Sequence, residues 1–235
     1  MNLFHGHQFS RRIAFAYKWL LRSLAVLEPL NGFGPAGESD NACIEAVYII
    51  NLDRQPARWE IFRREARRQL IKCGKRLLSF CHRISAVDGK TLDLNEANGF
   101  VRLTYPLDAQ YYVDPDPRLL ALIREKDVQI GMSREEIAVA LSHIAAWRRI
   151  VDENRSNALV LEDDVFFEKE FAEQFNRSWQ ELASKQKNGS TFDLLYLSFR
   201  EVERGAQWTK HSPNLRCPAR GYWWLSGYVL SNAGA

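Results

Sequence analysis

Short apolar runs without polar alternation recur along the chain and predict buried β-strands. The clearest are residues 46–52, 158–161 and 192–198, which hold mostly aliphatic and aromatic side chains. Uninterrupted runs of this kind are typical of strands covered on both faces, as in a parallel sheet between helices. Residues 80–86 and the aromatic-rich residues 221–235 are further strand candidates.

Between these strand candidates, apolar residues recur at helical spacing. Pro56 is tolerated in a first helical turn and begins one such segment. Its apolar positions are Trp59, Phe62, Ala66, Leu70 and Cys73. Ser133 and Glu136 form a capping-box sequence that predicts the start of another helix. The apolar stripe of that helix is predicted to be Ile137, Ala140, Leu141, Ile144, Trp147 and Val151. Residues 171–183 predict a third helix, so the order of elements favours an α/β fold.

The N-terminal segment differs from the rest of the chain. Residues 10–28 are predicted to form a basic amphipathic helix, which either lies in a membrane interface or docks on the folded domain. Residues 31–41 contain three glycines and one proline, which predicts a linker. We therefore expect residues 1–41 to be helix and linker, and residues 42–235 to be one domain. Residues 91–127 have weak periodicity and predict an irregular excursion.

Composition narrows the functional class. With 46% hydrophobic and 26% charged residues the chain resembles an ordinary globular protein, and a net charge of +3 gives no reason to expect a nucleic-acid partner. The basic segment 58–76 is either a solvated helix face or a surface for an anionic partner. The four scattered cysteines form no Cys-x-x-Cys pair, which favours a reducing compartment. No apolar run reaches the about 20 residues of a membrane span. We expect a cytoplasmic protein, with residues 10–28 suited to peripheral contact with the inner face of the membrane.

An acidic stretch, Glu162-Asp163-Asp164, directly follows the apolar run 158–161. Ligands of open α/β sheets gather at the carboxyl ends of the strands, and buried carboxylates lose several kcal/mol of hydration unless they are compensated. A divalent cation would compensate them, and oxygen ligands suit Mg²⁺ or Mn²⁺. If the backbone stays extended, Glu162 and Asp164 share a face and can hold one ion, while Asp163 faces away. The alternative is a solvated acidic loop after a strand.

A polar group also follows the first strand candidate. Asn51, Arg54 and Arg58 lie where a strand's carboxyl end meets a helix N-terminus, a position that favours anionic ligands. The alternative is a capped turn with exposed arginines. Farther along, Ser142 and His143 lie at the edge of the predicted helical stripe, and a lone histidine there is either packed or functional.

Taken together, several ordered segments resemble glycosyltransferase family 25, which includes bacterial lipopolysaccharide and lipooligosaccharide galactosyltransferases and procollagen galactosyltransferase domains. The resemblance covers residues 46–235. Its motifs are residues 47–54 with Arg58, residues 84–89 with Asp88, Glu136 through residues 141–143 to Trp147, residues 161–164, residues 192–197, and Gly227-Tyr228 with Ser231 and Gly234-Ala235.

The resemblance implies a GT-A type, Rossmann-like α/β domain with flanking helices that transfers a hexose, typically galactose from UDP-galactose, with inversion. It implies a glycan or lipid-linked saccharide as acceptor. Glu162 and Asp164 would hold Mn²⁺, or Mg²⁺, on the donor diphosphate. The family match further implies that Asn51, Arg54, Arg58, Asp88, Ser142, His143 and Asp163 border the donor.

Two departures from the family pattern carry expectations of their own. Ala138-Val139 stands where the family commonly has Gly-Cys, and we expect this change to affect helix packing more than chemistry. Family members usually continue past the Ser-x-x-Gly-Ala element, so part of the C-terminal acceptor side is expected to be lacking. An inverting transferase needs a base, and the sequence assigns none. A truncated, non-catalytic nucleotide-sugar-binding or scaffold protein is therefore the alternative. Metal-assisted phosphate-ester hydrolysis needs only the acidic rim, but no second ligand cluster of suitable spacing accompanies it.

Overall fold

The fold is an α/β arrangement of one central sheet with helices on both faces. The computed structural model describes residues 28–34, 43–106, 128–187, 191–201 and 206–235. The expected N-terminal helix and most of the expected linker and irregular excursion lie outside these ranges. In chain order the elements are β1 (Ala46–Asn51), α1 (Pro56–Arg68), a 3₁₀ turn (Leu77–Phe80), β2 (Cys81–Ser85), α2 (Leu94–Ala97), β3 (Thr104–Pro106), β4 (Gln129–Gly131), α3 (Arg134–Asp152), β5 (Asn157–Glu162), α4 (Phe171–Lys187), β6 (Leu194–Glu201), β7 (Gln207–Lys210), β8 (Arg216–Arg220) and β9 (Tyr222–Ser231).

The central sheet has the strand order β2-β1-β5-β9-β6. Strand β1 pairs in parallel with β2 and with β5, whereas β9 pairs antiparallel with both β5 and β6. The sequence predicts a parallel sheet from its unbroken apolar runs, and the sheet is instead mixed. The pattern could not distinguish the two cases, because a strand buried on both faces is apolar throughout whatever the direction of its neighbour.

Two buried clusters cover the two faces of this sheet. On one face, alternate residues of β1, β5 and β9 pack with Phe62 of α1 and with Phe175 and Trp179 of α4. On the other face, the remaining residues of the same strands pack with Ala146 and Ile150 of α3. The central strands are thus covered on both sides, as their apolar runs predict, and only their ends offer places for polar chemistry.

Helix α3 begins with the predicted capping box. The Ser133 hydroxyl accepts from the Glu136 amide at 3.1 Å, and the Glu136 carboxylate accepts from the Ser133 amide at 2.6 Å. The buried face, however, is rotated from the predicted stripe: Val151 is exposed, and the buried residues are Ile137, Ala138, Ser142, His143, Ala146 and Ile150. Polar Ser142 and His143 were expected at the edge of the stripe. They lie inside it because both find hydrogen-bond partners there, as described below.

Helix α1 ends earlier than its apolar spacing predicts. It stops at Arg68 rather than continuing to Cys73, because the next residues form backbone bridges instead of a helical turn. Ile71 pairs with Leu30 in one of these bridges. Leu30 and Phe33 are buried in the core, so the folded unit includes residues 28–34, which were expected to precede it. Within the described ranges, no helix is both long and apolar enough to cross a membrane.

Candidate functional site

The site lies where the carboxyl ends of β1 and β5 meet. The parallel register places Ile50 beside Glu162, so the next residues, Asn51 and Asp163, are also neighbours. Asn51 Nδ2 donates to Asp163 Oδ2 at 2.5 Å. Two segments that are 112 residues apart in the sequence are thereby joined through their polar side chains at the edge of the sheet.

The amide of Asn51 has a defined orientation. Arg83 Nε on β2 lies 2.7 Å from Asn51 Oδ1. A guanidinium can only donate, so this atom of Asn51 must be the acceptor and the amide NH₂ must face Asp163. Arg83 also pairs with Asp53 at 2.6 Å. Arg83 is a site residue that was not predicted, because its position on a strand next to other polar residues gives no signal of this role.

Asp163 is the buried member of the acidic stretch, with a side chain only 6% exposed. Burial raises its pKa, while the hydrogen bond from Asn51 and the charge of Arg58 act in the opposite direction. Arg58 Nη2 lies 2.7 Å from Asp163 Oδ1 and 2.6 Å from Asp164 Oδ2. Arg58, in the first turn of α1, therefore bridges two consecutive carboxylates.

Glu162 and Asp164 face a common cavity of about 1100 Å³. Strand β5 ends at Glu162, and Asp163 and Asp164 lie in the following turn, so extended alternation is not what places the two side chains on one cavity. The side chain of Glu162 is 30% exposed and that of Asp164 is 56% exposed. Both carboxylates reach a concavity while Asp163 is held away by Asn51 and Arg58.

Behind Glu162 lies a buried chain of hydrogen bonds, the Trp147–Tyr228–His143–Glu162 chain. Trp147 Nε1 donates to the Tyr228 hydroxyl at 2.6 Å. The Tyr228 hydroxyl lies 2.9 Å from His143 Nδ1, and His143 Nε2 lies 3.3 Å from Glu162 Oε1. Burial raises the pKa of Tyr228, so its hydroxyl keeps its proton.

The direction of these bonds follows from what each group can donate. An indole N–H only donates, so Tyr228 accepts from Trp147, and His143 Nδ1 is the acceptor within reach of the Tyr228 proton. Neutral His143 then carries its proton on Nε2, which faces the carboxylate of Glu162. His143 is thus a packed residue that also orients an acidic one. Trp147 and Tyr228 belong to the motifs that carry the family resemblance, but no sequence pattern predicts that their side chains are in contact.

A second, smaller cavity of about 350 Å³ lies on the other side of Glu162. Arg54, Arg58, Asp88, Ser142 and His143 line it, together with Glu162 and Asp163. All the residues that the resemblance places near a donor, apart from Asn51 and Asp164, therefore share this one cavity.

The wall of the smaller cavity is fixed by its own polar contacts. Arg54 Nε donates to Asp88 Oδ2 at 2.5 Å, and this hydrogen bond lowers the pKa of Asp88. The Ser142 hydroxyl accepts from the Val87 amide at 2.9 Å and donates to the Ala138 carbonyl at 2.7 Å. Gly89 lets this loop approach α3 closely, since a Cβ there would lie 3.1 Å from the Arg134 carbonyl oxygen.

The two residues that depart from the family pattern have different surroundings. Ala138 is buried against the smaller cavity, whereas Val139 is exposed and lines both cavities.

The donor set at the acidic stretch fits a hard divalent cation, although the described residues hold no ready-made cluster of three ligating side chains. Mg²⁺ commonly takes only one or two carboxylates from the protein and completes its shell with water and phosphate oxygens. Glu162 and Asp164 supply two such carboxylates on one cavity. His143 behind Glu162 corresponds to the hydrogen-bonding partners that orient metal ligands.

The fold and the site define a class: an α/β protein whose polar residues gather at the carboxyl edge of its sheet, where ligands of such folds bind. The family model described as "Glycosyltransferase family 25 (LPS biosynthesis protein)" matches residues 44–235. The chain belongs to glycosyltransferase family 25, and the predicted resemblance is confirmed.

Known relatives extend this result to animal proteins. The chain is 28% identical over 201 residues to "Procollagen galactosyltransferase 1" of Danio rerio, covering 84% of this chain and 29% of the relative. It is 29% identical over 217 residues to a "Glycosyltransferase 25 family member" of Anopheles gambiae, covering 91% and 31%. It is also 28% identical over 192 residues to "Probable inactive glycosyltransferase 25 family member 3" of Bos taurus, covering 81% and 28%. The chain spans about three tenths of the length of these relatives.

Proposed function

We propose that this protein is a glycosyltransferase that moves a hexose, most simply galactose, from a UDP-sugar to a hydroxyl group of a glycan acceptor. The observation that carries the proposal is the position of Glu162 between two cavities of different character. The smaller one is lined by three cations, Arg54, Arg58 and Lys90, beside four carboxylates. The larger one is lined by four carboxylates with one lysine and by aromatic rings. The three cations make the smaller cavity the more suitable of the two for an anionic donor, which leaves the larger one for a neutral acceptor.

The smaller cavity suits the nucleotide. Guanidinium groups bind phosphate through paired N–H donors, and Arg58 lies in the first turn of α1, where the helix dipole favours an anion. On arrival of a diphosphate, Arg58 can exchange one of its two carboxylates for phosphate oxygens. Asn51, Arg54, Asp88 and Asp163 then hold the loops in place, and Ser142 with His143 closes the side formed by α3.

Glu162 and Asp164 would hold a Mn²⁺ or Mg²⁺ ion with the donor diphosphate. When bound, such an ion supplies charge stabilisation for the departing nucleotide. Residues of this chain supply the rest: Arg58 neutralises phosphate charge, and the Trp147–Tyr228–His143–Glu162 chain keeps one carboxylate oriented.

The proposed reaction balances without a further reagent. The acceptor oxygen forms a bond to the anomeric carbon while the bond from that carbon to the diphosphate breaks. The hydroxyl proton passes to a base, and inversion follows if the oxygen attacks from the face opposite the leaving group. The acceptor is proposed as a class of hydroxyl-bearing compounds. The description of the family names lipopolysaccharide biosynthesis, and the name of one relative includes procollagen.

A second function deserves a test because one relative is named as probably inactive. In that case the protein would bind a nucleotide-sugar without transferring it. The experiment is to incubate purified protein with UDP-galactose and Mn²⁺, with and without saccharide acceptors, and to measure UDP binding and UDP release separately. Acceptor-dependent UDP release with a sugar product supports the transferase. Saturable UDP binding without release supports the second function, and absence of UDP binding contradicts both.

A further inference from the structure

The beginning of β9 lines the larger cavity together with Glu162 and Asp164, and Trp224 belongs to this lining. Its side chain is 60% exposed, the largest exposure among the big apolar residues noted in the described ranges. Its backbone has a φ of +76°. A bulky residue with positive φ is a genuine outlier, and such outliers concentrate at active sites and ligand-binding sites.

The chemistry around Trp224 is unsuited to an anion. The cavity is lined by the carboxylates of Glu162, Asp164, Glu168 and Glu170, against one lysine, Lys169. A phosphate-bearing group would need a cation on Glu162 and Asp164 to bind at this cavity, and Glu168 and Glu170 lie outside that proposed pair of ion ligands. Carboxylates do accept hydrogen bonds from neutral hydroxyl groups, so the charge favours a polyol over a nucleotide.

We propose that the larger cavity is a saccharide-binding subsite in which the Trp224 ring stacks against a neutral sugar ring of the acceptor. The proposal rests on the proposed function and names the surface that would hold the acceptor. The cavity volume of about 1100 Å³ lies just above the ~300–1,000 Å³ range for small-molecule pockets, which leaves room for more than one sugar unit.

Neighbouring residues complete the subsite. Ser226, two residues after Trp224, shares a hydrogen bond of 2.8 Å with Ser198 on β6, and both hydroxyls line the cavity. The guanidinium of Arg200 lies 5.9 Å from the Trp224 ring centroid, a cation–π distance that restrains the ring. The indole is thus restrained by Arg200 in a cavity that also presents the hydroxyls of Ser198 and Ser226.

Two variants of Trp224 separate the contribution of its ring from that of its backbone conformation, and a third variant is the control. Trp224→Gly removes the ring and accepts a positive φ without strain, whereas Trp224→Tyr keeps an aromatic face in the same backbone conformation. Trp208→Ala is the matched control, because Trp208 is also an exposed tryptophan with an arginine, Arg216, stacked on it at 4.1 Å, but it lies outside this cavity. Thermal unfolding of each variant checks that it is folded.

The measurement is saturation-transfer NMR with methyl β-galactoside, lactose and a panel of neutral oligosaccharides, in the presence of UDP and Mn²⁺. We expect the wild type, Trp224→Tyr and Trp208→Ala to bind at least one saccharide. Trp224→Gly should bind about fivefold to tenfold more weakly, which corresponds to one stacking contact. UDP affinity, measured in parallel by calorimetry, should be unchanged in all variants.

The remaining outcomes overturn the proposal in distinguishable ways. Saccharide binding that is unaffected in Trp224→Gly, or absent from the wild type across the panel, removes the subsite but leaves the proposed donor chemistry intact if UDP still binds. Loss of UDP affinity in Trp224→Gly would assign the ring to the nucleotide instead. Failure of the wild type to bind UDP would contradict the proposed function itself.

Discussion

The two ends of β5 both carry acidic side chains, and their surroundings differ sharply. Glu153, before the strand begins, accepts a hydrogen bond from the Tyr48 hydroxyl at 2.8 Å and forms ion pairs with Arg149 and Arg155. Burial acts to raise the pKa of Glu153, but the hydrogen bonds from Tyr48, Arg155 and Arg149 outweigh it and lower the pKa to about 2. The negative charge at this end of the strand is therefore balanced by the two arginines and the tyrosine hydroxyl.

At the other end of β5, the three carboxylates of the acidic stretch have fewer ion pairs and hydrogen bonds per carboxylate than Glu153 has. Arg58 is divided between Asp163 and Asp164, and the partner of Glu162 is the ring of His143 rather than an arginine. The pKa of Asp163 is raised rather than lowered, mainly by burial. Perturbed carboxylates at a cavity are candidates for function, whereas the saturated Glu153 has a structural role. The proposed cation site rests on this difference.

The largest effect is expected from Asp164→Ala. Loss of an exposed carboxylate that faces the larger cavity should leave the fold intact and lower Mn²⁺-dependent UDP affinity by at least about 100-fold, more than the loss of a residue that only supports a ligand. Calorimetric titration with UDP and Mn²⁺ measures this. Asp152→Ala, an exposed aspartate at the end of α3, is the control. Wild-type affinity in Asp164→Ala would show that the acidic stretch holds no ion.

The next effect is expected from Arg58→Met, which removes the cation from the buried Asp163. We expect a loss of about 2 kcal/mol in the free energy of unfolding at pH 7, together with weaker UDP binding. A carboxyl group whose folded pKa is raised destabilises the fold at pH values above that pKa, so the deficit should shrink as the pH falls. Urea unfolding at pH 7 and at lower pH tests this. Arg63→Met on the same helix should show neither effect, because Arg63 pairs with an exposed glutamate.

A smaller effect is expected from Tyr228→Phe. The variant breaks the Trp147–Tyr228–His143–Glu162 chain and leaves a half-buried indole N–H and an imidazole nitrogen without the partner that sets their direction. We expect UDP affinity in the presence of Mn²⁺ to fall about tenfold, as for other residues that orient ligands. The ¹⁵N shifts of His143 should report a changed tautomer. If the tautomer and the affinity both stay the same, the chain has no positioning role; Tyr196→Phe on the neighbouring strand is the control.

The smallest effect is expected at the compensated end. Glu153→Gln should cost about 1 kcal/mol of stability near neutral pH, since solvent screens part of the charge interaction, and should leave UDP binding unchanged. Because the folded pKa of Glu153 is lowered from 4.5 to about 2, its contribution is present above pH 4.5 and is lost as the pH falls toward 2. Thermal melts of both proteins across this range should therefore converge. Altered UDP affinity would contradict the structural role.

Much of the fold could be predicted because strong local patterns determine it. The Ser133 capping box fixes the start of α3, and the apolar runs fix β1 and β5. The direction of β9 could not be predicted, since strand direction depends on connections and not on side-chain pattern. Helix α1 ends at Arg68 because Ile71 bridges to Leu30, a partner 41 residues away that no local pattern reveals.

The site was predictable where it lies at the ends of strands. Asn51 and Asp163 were both singled out, and the parallel register of β1 with β5 brings them into contact. Arg83 and Tyr228 were missed because their roles depend on contacts from other strands and helices. The metal, the donor and the localisation remain predictions.

The place of β9 in the sheet has a consequence for biosynthesis. This strand fits between β5 and β6, although it is made after both. During synthesis, one edge of β5 stays unpaired until about 60 further residues have been made and β9 is available. Until β9 is in place, β6 has no pairing partner in the central sheet. Nascent chains that stall before Tyr228 would therefore expose the unpaired edges of β5 and β6 and lack the Trp147–Tyr228–His143–Glu162 chain. We expect the need for chaperones to be greatest during synthesis of the residues between β5 and β9.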